Sequence, residues 1–204
     1  MKFILFCLFA IFINSQVSAQ ISTIGTQKWT NRNLDVNTFR NGDPIPQATS
    51  KSEWMKACEN KQPIWCYYNF DPANGVKYGK LYNWYAVNDP RGLAPNGFHI
   101  PTHKEWDLLY KNLGSGCCGG TKLKSKSGWK YTNNGTNQFG FSALPSGTFI
   151  ANDFLGIGTD TEWWSSTEEG TQAFTHGLTY SNGILKWSYE MKDFGFAVRC
   201  LKNK

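Results

Sequence analysis

The sequence predicts a single α+β domain, with helices in its first half and an antiparallel sheet in its last third. Two helix starts are indicated because a hydroxyl cap is followed three residues later by a glutamate: Ser50 with Glu53, and Thr102 with Glu105. Residues 122–147 are rich in Gly, Ser, Asn and Thr, which is typical of long loops. Helices and strands in separate parts of a chain indicate the α+β class.

The second predicted helix has the clearer pattern. Its apolar residues Trp106, Leu109, Tyr110 and Leu113 recur at the spacing of one helical face. Gly114 suits the position just after a helix end, where the backbone turns left-handed.

Strands are predicted on both sides of this helix. Residues 29–39 and 64–70 match strand patterns, and Asp71–Gly75 predicts a turn. The late strands are predicted at residues 163–167, 173–180, 184–189 and 194–200. Asn182-Gly183 between two apolar runs is a strong hairpin signal. Apolar and other residues alternate in the final strand, so we expect one of its faces to be buried.

The first residues have the pattern of a signal peptide. Lys2 gives a positive start, Phe3–Ile13 is apolar, and Val17-Ser18-Ala19 is a small-residue cleavage site. The apolar run is shorter than the roughly 20 residues that span a bilayer, and no later stretch is long enough. We expect cleavage after residue 19, a single domain over residues 20–204 with no membrane span, and secretion to the periplasm, cell surface or medium. An uncleaved anchor is the alternative.

Five cysteines follow the expected cleavage site: Cys58, Cys66, Cys117, Cys118 and Cys200. Disulfides are expected in an oxidising compartment, and an odd number leaves at least one thiol free or joined to another chain. Cys58 and Cys66 are near enough in sequence to close a small loop, and Cys200 could be bonded to Cys117 or Cys118. The sequence does not fix the connectivity, and the spacings match no zinc motif.

The charge pattern argues against a nucleic-acid partner. The formal net charge is +6, and apart from one group the basic residues are scattered. That group lies among Gly and Ser, as in a solvated loop: Lys122, Lys124, Lys126 and Lys130. Nucleic-acid binding would need a basic face with an element that enters a groove.

No cofactor is expected from the ligand patterns, with calcium as the one candidate. His99 and His103 are separated by Pro101 and the helix cap, so they do not share a helical face as metal ligands do. Calcium needs about 6–8 oxygen ligands. Acidic residues that could supply several are Asp153, Asp160, Glu162, Glu168 and Glu169, although solvated loop charges are the plainer interpretation.

Aromatic residues are unusually frequent, with nine Trp, nine Tyr and fourteen Phe. Most are expected in the core, but Trp and Tyr also dominate binding hot spots. The candidate ligand-binding residues in or beside the late strands are Trp163, Trp164, Tyr180, Trp187 and Tyr189. Trp163 and Trp164 suit the core better, which leaves Trp187 and Tyr180 as the stronger candidates.

Six short blocks follow one another in a fixed order: residues 78–87 (YGKLYNWYAV), 97–102 (GFHIPT) with Glu105-Trp106, 122–125 (KLKS), 140–145 (GFSALP), 163–167 (WWSST) and 195–200 (GFAVRC). Together they resemble the signature of the Fibrobacter succinogenes major paralogous domain family. The family occurs in secreted and surface proteins. Its pattern is similar to formylglycine-generating enzymes and C-type lectins. The resemblance implies a C-type lectin-like fold, with two helices flanking a small twisted antiparallel sheet and long loops that carry function.

The resemblance also bears on catalysis. Formylglycine-generating oxidases hold copper with two cysteines; Cys200 matches one, but Gly195 stands in place of the other. The leading hypothesis is therefore a secreted, non-catalytic module whose loops recognise a polysaccharide or an envelope or surface protein. The alternatives are an enzyme related to these oxidases with altered chemistry, and a structural component of a cell-surface assembly.

Overall fold

A computed structural model describes residues 20–114 and 118–204, which form eleven strands and four short α-helices. The strands are β1 (Ile21–Ile24), β2 (Gln27–Thr30), β3 (Trp65–Cys66), β4 (Leu81–Tyr82), β5 (Phe98–His99), β6 (Ser146–Ile150), β7 (Asp153–Ile157), β8 (Asp160–Glu169), β9 (Gln172–Thr179), β10 (Lys186–Met191) and β11 (Leu201–Lys202). The helices are α1 (Lys51–Glu59), α2 (Pro72–Tyr78), α3 (Trp84–Val87) and α4 (His103–Asn112). None of these helices is long and apolar enough to cross a membrane. The predicted signal peptide lies outside the described residues.

Three sheets organise the chain. The largest has the order β10-β9-β8-β6-β7, a second has the order β1-β2-β11-β5, and β3 pairs with β4. The pairing of β6 with β8 is parallel, so the largest sheet is mixed. The expectation of an α+β domain with a C-type lectin-like fold, in which two helices flank a small twisted antiparallel sheet, is therefore wrong, and the described residues are mostly β. Strands outnumber helices in the described residues, and even α4 has only ten residues.

The two predicted helix starts are confirmed. Ser50 Oγ accepts a hydrogen bond from the Glu53 N–H at the start of α1. Thr102 and Glu105 form a full capping box at the start of α4. Gly114 follows the last turn with a φ of 82°, as its position after the helix end requires.

The cap of α4 gives a first testable prediction. Thr102→Ala removes the hydroxyl that accepts the Glu105 N–H at 3.3 Å and donates to Glu105 Oε2 at 2.9 Å, so the Glu105 N–H keeps only the Thr102 carbonyl as an acceptor. We expect the free energy of unfolding to fall by about 1 kcal/mol in urea titrations followed by circular dichroism. Thr136→Ala, at an exposed threonine, is the matched control. Equal stability of the two variants would contradict this role of the cap.

Several predicted strands are shorter than expected. The strand predicted at residues 29–39 ends at Thr30, and of residues 64–70 only Trp65–Cys66 pair as a strand. The turn predicted at Asp71–Gly75 is instead the start of α2, because Asp71 accepts a hydrogen bond from the Ala73 N–H and Pro72 fits a first helical turn.

A hairpin that the sequence does not signal joins β6 to β7. Its turn is made by Ala151 and Asn152, with φ angles of 49° and 64°. Asn adopts left-handed backbone readily, but alanine does so at a cost. The Asn-Gly hairpin is confirmed in its main feature, since β9 and β10 pair antiparallel on either side of it.

The segment Gly195–Cys200 lies at the centre of the molecule. Its bridges join it to three different partners: Phe196 to Tyr82, Gly195 to Phe149, and Ala197 to Trp163. All six residues are buried. The prediction of a half-buried final strand at residues 194–200 is therefore wrong, because this segment runs between the sheets and regular pairing begins only at β11.

Trp163 and Trp164 connect the two parts of the core. Adjacent strand residues point to opposite faces, so each indole enters a different apolar cluster. Trp163 Nε1 donates to Asn33 Oδ1 at 2.8 Å, and Trp164 Nε1 donates to the Tyr82 carbonyl at 2.7 Å. Both side chains are fully buried. They are core residues in this structure.

Candidate functional site

The candidate site lies where α4 packs on one face of β9 and β10. Trp163 of β8, His176 of β9 and Trp187 of β10 are direct cross-strand neighbours, and so project on the same face. Trp163 is covered by the core, whereas Trp187 is 54% exposed. The same face thus changes from dry core to an accessible surface within two strands.

Aromatic rings that contact one another form this surface. His103 of α4 stacks on Phe174 with ring centroids 4.0 Å apart, and its edge meets Trp187 at 5.5 Å. Phe174 also contacts Tyr189 at 4.5 Å. Each ring is held by at least one neighbour, so Trp187 and Tyr189 present fixed apolar faces to solvent.

A cavity of about 290 Å³ adjoins the rings. It is lined by Trp106, Asp107, Tyr110, His176, Leu185 and Trp187. We call this cavity, together with the exposed faces of Trp187 and Tyr189, the Trp187 groove. Apolar walls with a few convergent polar groups are the usual composition of a ligand site.

Two histidines and a carboxylate supply the polar groups. His103 Nδ1 lies 3.1 Å from His176 Nε2, close enough for one ring to donate to the other. His103 Nε2 lies 3.6 Å from Asp107 Oδ2. Burial, with a smaller effect from His103, lowers the pKa of His176 to about 3, so this ring is neutral at physiological pH.

A buried donor completes the lining. The indole of Trp106 is fully buried, and its Nε1 has no hydrogen-bond partner in the described residues. Its ring lies 4.9 Å from His176 and 5.6 Å from Trp163. Buried donors are nearly always paired, with protein or with water. A side chain that lines the cavity thus has an unused capacity to donate.

The chain matches the sequence pattern of one protein family. The sequence pattern described as the Fibrobacter succinogenes major domain matches residues 23–202. The chain belongs to the Fibrobacter succinogenes major domain family. The match confirms the family resemblance seen in the six blocks, and it spans every element that builds the Trp187 groove. Searches among curated proteins and among solved structures found no match.

Within this family domain, the sequence-predicted aromatic residues separate into three groups. Trp187 and Tyr189 meet in the groove. Trp163 and Trp164 are in the core. Tyr180 lies apart from the cavity lining and packs against the exposed Tyr131, with centroids 5.2 Å apart.

Sequence reasoning missed the polar half of the groove. His103 and Asp107 are four residues apart and therefore share one face of α4. That spacing was an available signal, but His103 was considered only with His99, as a metal-ligand pair that was rejected. The contact of His103 with His176, which is 73 residues distant, has no local signal.

The acidic residues considered for calcium do not assemble a site in the family domain. Asp153 contacts Lys51 at 3.4 Å, and Glu168 contacts Lys192 at 2.8 Å. In the described part of the chain, no three His, Cys, Asp or Glu side chains are grouped so that they could hold a metal ion.

Three of the described cysteines are thiols in this structure. Cys58, Cys66 and Cys200 form no disulfide, so the suggested Cys58–Cys66 bridge and a bridge from Cys200 are not present. Cys118 is exposed, and Cys117 lies outside the described residues.

The environment of Cys200 does not favour thiolate chemistry. Burial raises the pKa of this thiol to about 12, although the Arg199 cation opposes the shift. A side chain at position 195 would be tightly packed. A Cβ on Gly195 would lie 3.0 Å from Phe149 Cβ and 3.1 Å from the ring of Trp54. The pair of cysteines at positions 195 and 200 that the resemblance to copper oxidases would require is therefore not present.

Proposed function

We propose that this protein is an exported, non-catalytic module that binds polysaccharide in the Trp187 groove. The observation that carries the proposal is the exposed indole face of Trp187 beside a cavity that contains polar groups. A sugar ring has a flat C–H face and a rim of hydroxyls. An aromatic face covers the first, and hydrogen-bonding side chains at its edge bind the second.

The polar groups of the groove have complementary roles. Asp107, which lines the cavity, accepts hydrogen bonds from sugar hydroxyls. His103 donates or accepts according to the proton it shares with His176. The ring contacts of His103 with Phe174 and Trp187 fix its position, so little side-chain entropy is lost on binding.

The test is affinity electrophoresis of the protein through gels that contain soluble xylan, hydroxyethylcellulose or pectin. We expect at least one polymer to retard the wild-type protein. Trp187→Ala should weaken that binding by about thirtyfold or more, because truncation of a central aromatic contact typically costs about 2 kcal/mol. Tyr131→Ala is the matched control, since Tyr131 is a 72% exposed aromatic residue outside the groove.

Two results would contradict the proposal. One is the absence of retardation by all three polymers. The other is equal retardation of the wild-type protein and Trp187→Ala. Loss of binding in Tyr131→Ala alone would place the contact at the Tyr131–Tyr180 pair, and not in the groove.

A further inference from the structure

We propose that a second copy of this chain pairs with the free edge of β10, antiparallel and about a twofold axis at Ser188. β10 is the outermost strand of the largest sheet, and among the described strands it pairs with β9 alone. Beyond that pairing, the one hydrogen bond that the described residues make to the backbone of Lys186–Glu190 is from Gln172 Nε2, on β9 itself, to the Tyr189 carbonyl at 3.3 Å. A row of backbone donors and acceptors is thus available to another strand.

The strand is complementary to itself. Its sequence is Lys186-Trp187-Ser188-Tyr189-Glu190. In an antiparallel pair centred on Ser188, Lys186 lies opposite the partner's Glu190, and Trp187 opposite the partner's Tyr189. The symmetry repeats both pairs. Opposite charges and aromatic pairs are the combinations that stabilise directly facing positions.

The faces of the strand fit this arrangement. Lys186, Ser188 and Glu190 alternate with Trp187 and Tyr189, so the two ion pairs form on one face of the joined sheet and the aromatic pairs on the other. In this register each charged side chain faces a charged side chain of the partner, and each aromatic ring faces an aromatic ring. A shift of one residue would place Lys186 opposite Tyr189 in one direction or Met191 in the other, so neither shifted register keeps the ion pairs.

The edge lacks two of the features that usually prevent pairing, a proline and a bulge, and its charged residues Lys186 and Glu190 have opposite signs. Trp187, Tyr189 and Met191 are 54%, 39% and 44% exposed on it. The opposite edge of the same sheet is different. β7 contains one charged residue, Asp153, which already contacts Lys51 at 3.4 Å, and Gly156 with a φ of 78°. β7 therefore offers no self-complementary set of charges.

This inference does not depend on the polysaccharide proposal. Edge pairing uses the backbone of β10 and leaves the aromatic side chains on the open face. The two grooves would then lie side by side on one continuous sheet. Binding of a sugar and formation of the dimer are measured separately, so either proposal can fail alone.

Charge reversal tests the register. We expect sedimentation velocity to show a concentration-dependent dimer of the wild-type protein. Lys186→Glu places Glu opposite Glu at two symmetric positions, and Glu190→Lys places Lys opposite Lys. Each should weaken the dimer by about tenfold or more. An equimolar mixture of the two variants restores both ion pairs and should dimerise. Lys28→Glu, an exposed lysine on β2 with the same charge change, should dimerise like the wild type.

A cross-linking variant tests the axis. The two Ser188 residues would face each other, with Cβ atoms about 4.5–5.5 Å apart. Ser188→Cys should therefore form a covalent dimer under mild oxidation, beyond any cross-linking of the native cysteines in the wild-type protein. Thr23→Cys, on the exposed face of β1, is the control.

The proposal would be overturned by a wild-type protein that stays monomeric at about 100 μM, a concentration at which a micromolar dimer is largely formed. It would also be overturned by a dimer that neither charge reversal weakens, or by a mixture of the two variants that remains monomeric.

Discussion

Arg199→Met is expected to lower the free energy of unfolding by about 3 kcal/mol or more, because it leaves buried carbonyl groups without a donor. Arg199 is almost fully buried. Its Nη1 donates to the Thr30 carbonyl at 2.9 Å and to the Phe141 carbonyl at 2.8 Å, while Nε donates to Asn33 Oδ1 at 2.7 Å. The guanidinium also lies over the ring of Phe141 at 4.4 Å.

Methionine can replace the volume of Arg199 but none of these donors. The bonded groups belong to β2, to the loop that follows it and to the loop before β6, so their carbonyls cannot turn to water without moving the sheet. Arg199→Lys should be intermediate, because one ammonium cannot match the fork of the guanidinium. Arg32→Met, at an exposed arginine, is the control. Urea unfolding followed by tryptophan fluorescence measures the differences, and a loss below about 1 kcal/mol would refute the role given to Arg199.

Glu162→Gln is expected to stabilise the protein by about 3 kcal/mol at pH 8 and to have little effect at pH 4.5. Burial, followed by the charges of Glu190 and Asp160, raises the pKa of Glu162 from 4.5 to about 7. Its Oε2 has no partner among the described residues. The side chain lies over Gly177, where a Cβ would come within 2.7 Å of Glu162 Cγ.

The direction of the change in stability with pH depends on whether the folded or the unfolded chain keeps the proton of Glu162. Between pH 4.5 and 7 the folded protein keeps the proton of Glu162 while the unfolded chain releases it. The contribution of this residue to stability is therefore complete below pH 4.5 and is lost as the pH rises through 7. Glutamine stays neutral throughout, so the difference between variant and wild type grows over this range.

Urea titrations at half-unit pH intervals measure this difference. Comparison at each pH cancels the opposite trend from His176, whose pKa is lowered to about 3. Glu169→Gln, at an exposed position on the same strand, should follow the wild-type curve. Parallel curves for Glu162→Gln and the wild type would show that Glu162 is ionised in the folded protein without cost.

The features that were predicted correctly from the sequence depend on residues close together in the chain. The caps of α1 and α4 each need only one hydroxyl and a glutamate three residues away. The β9–β10 hairpin follows from Asn182-Gly183 between apolar runs. The family follows from six short blocks in the correct order.

The errors arise where distant parts of the chain decide the structure. The alternating pattern at residues 194–200 is that of a half-buried strand, but partners from three parts of the chain cover both faces. Asp71–Gly75 has turn residues that serve as a helix cap and first turn in α2. The Ala151–Asn152 turn has left-handed backbone, a conformation that an alanine in the sequence does not predict. Tertiary packing overrides local preference in each case.

Only one half of the candidate site could be predicted, because the other half depends on contacts between distant parts of the chain. The aromatic half of the groove comes from the sequence of one strand, β10, so Trp187 and Tyr189 were found. The polar half requires α4 to lie over β9. His103 and His176 are 73 residues apart in the chain, so no local sequence pattern indicates their contact.

The position of Gly195–Cys200 between the sheets has a consequence for how the protein is made. Arg199 bonds to Thr30 across 169 residues, and Cys200 bonds to Thr30 across 170. Such contacts give the chain a high contact order, and chains of that kind fold slowly. A ribosome must have released almost the whole domain before the core can close. Until then many of its aromatic side chains remain exposed, and incompletely folded chains of that kind are prone to aggregation.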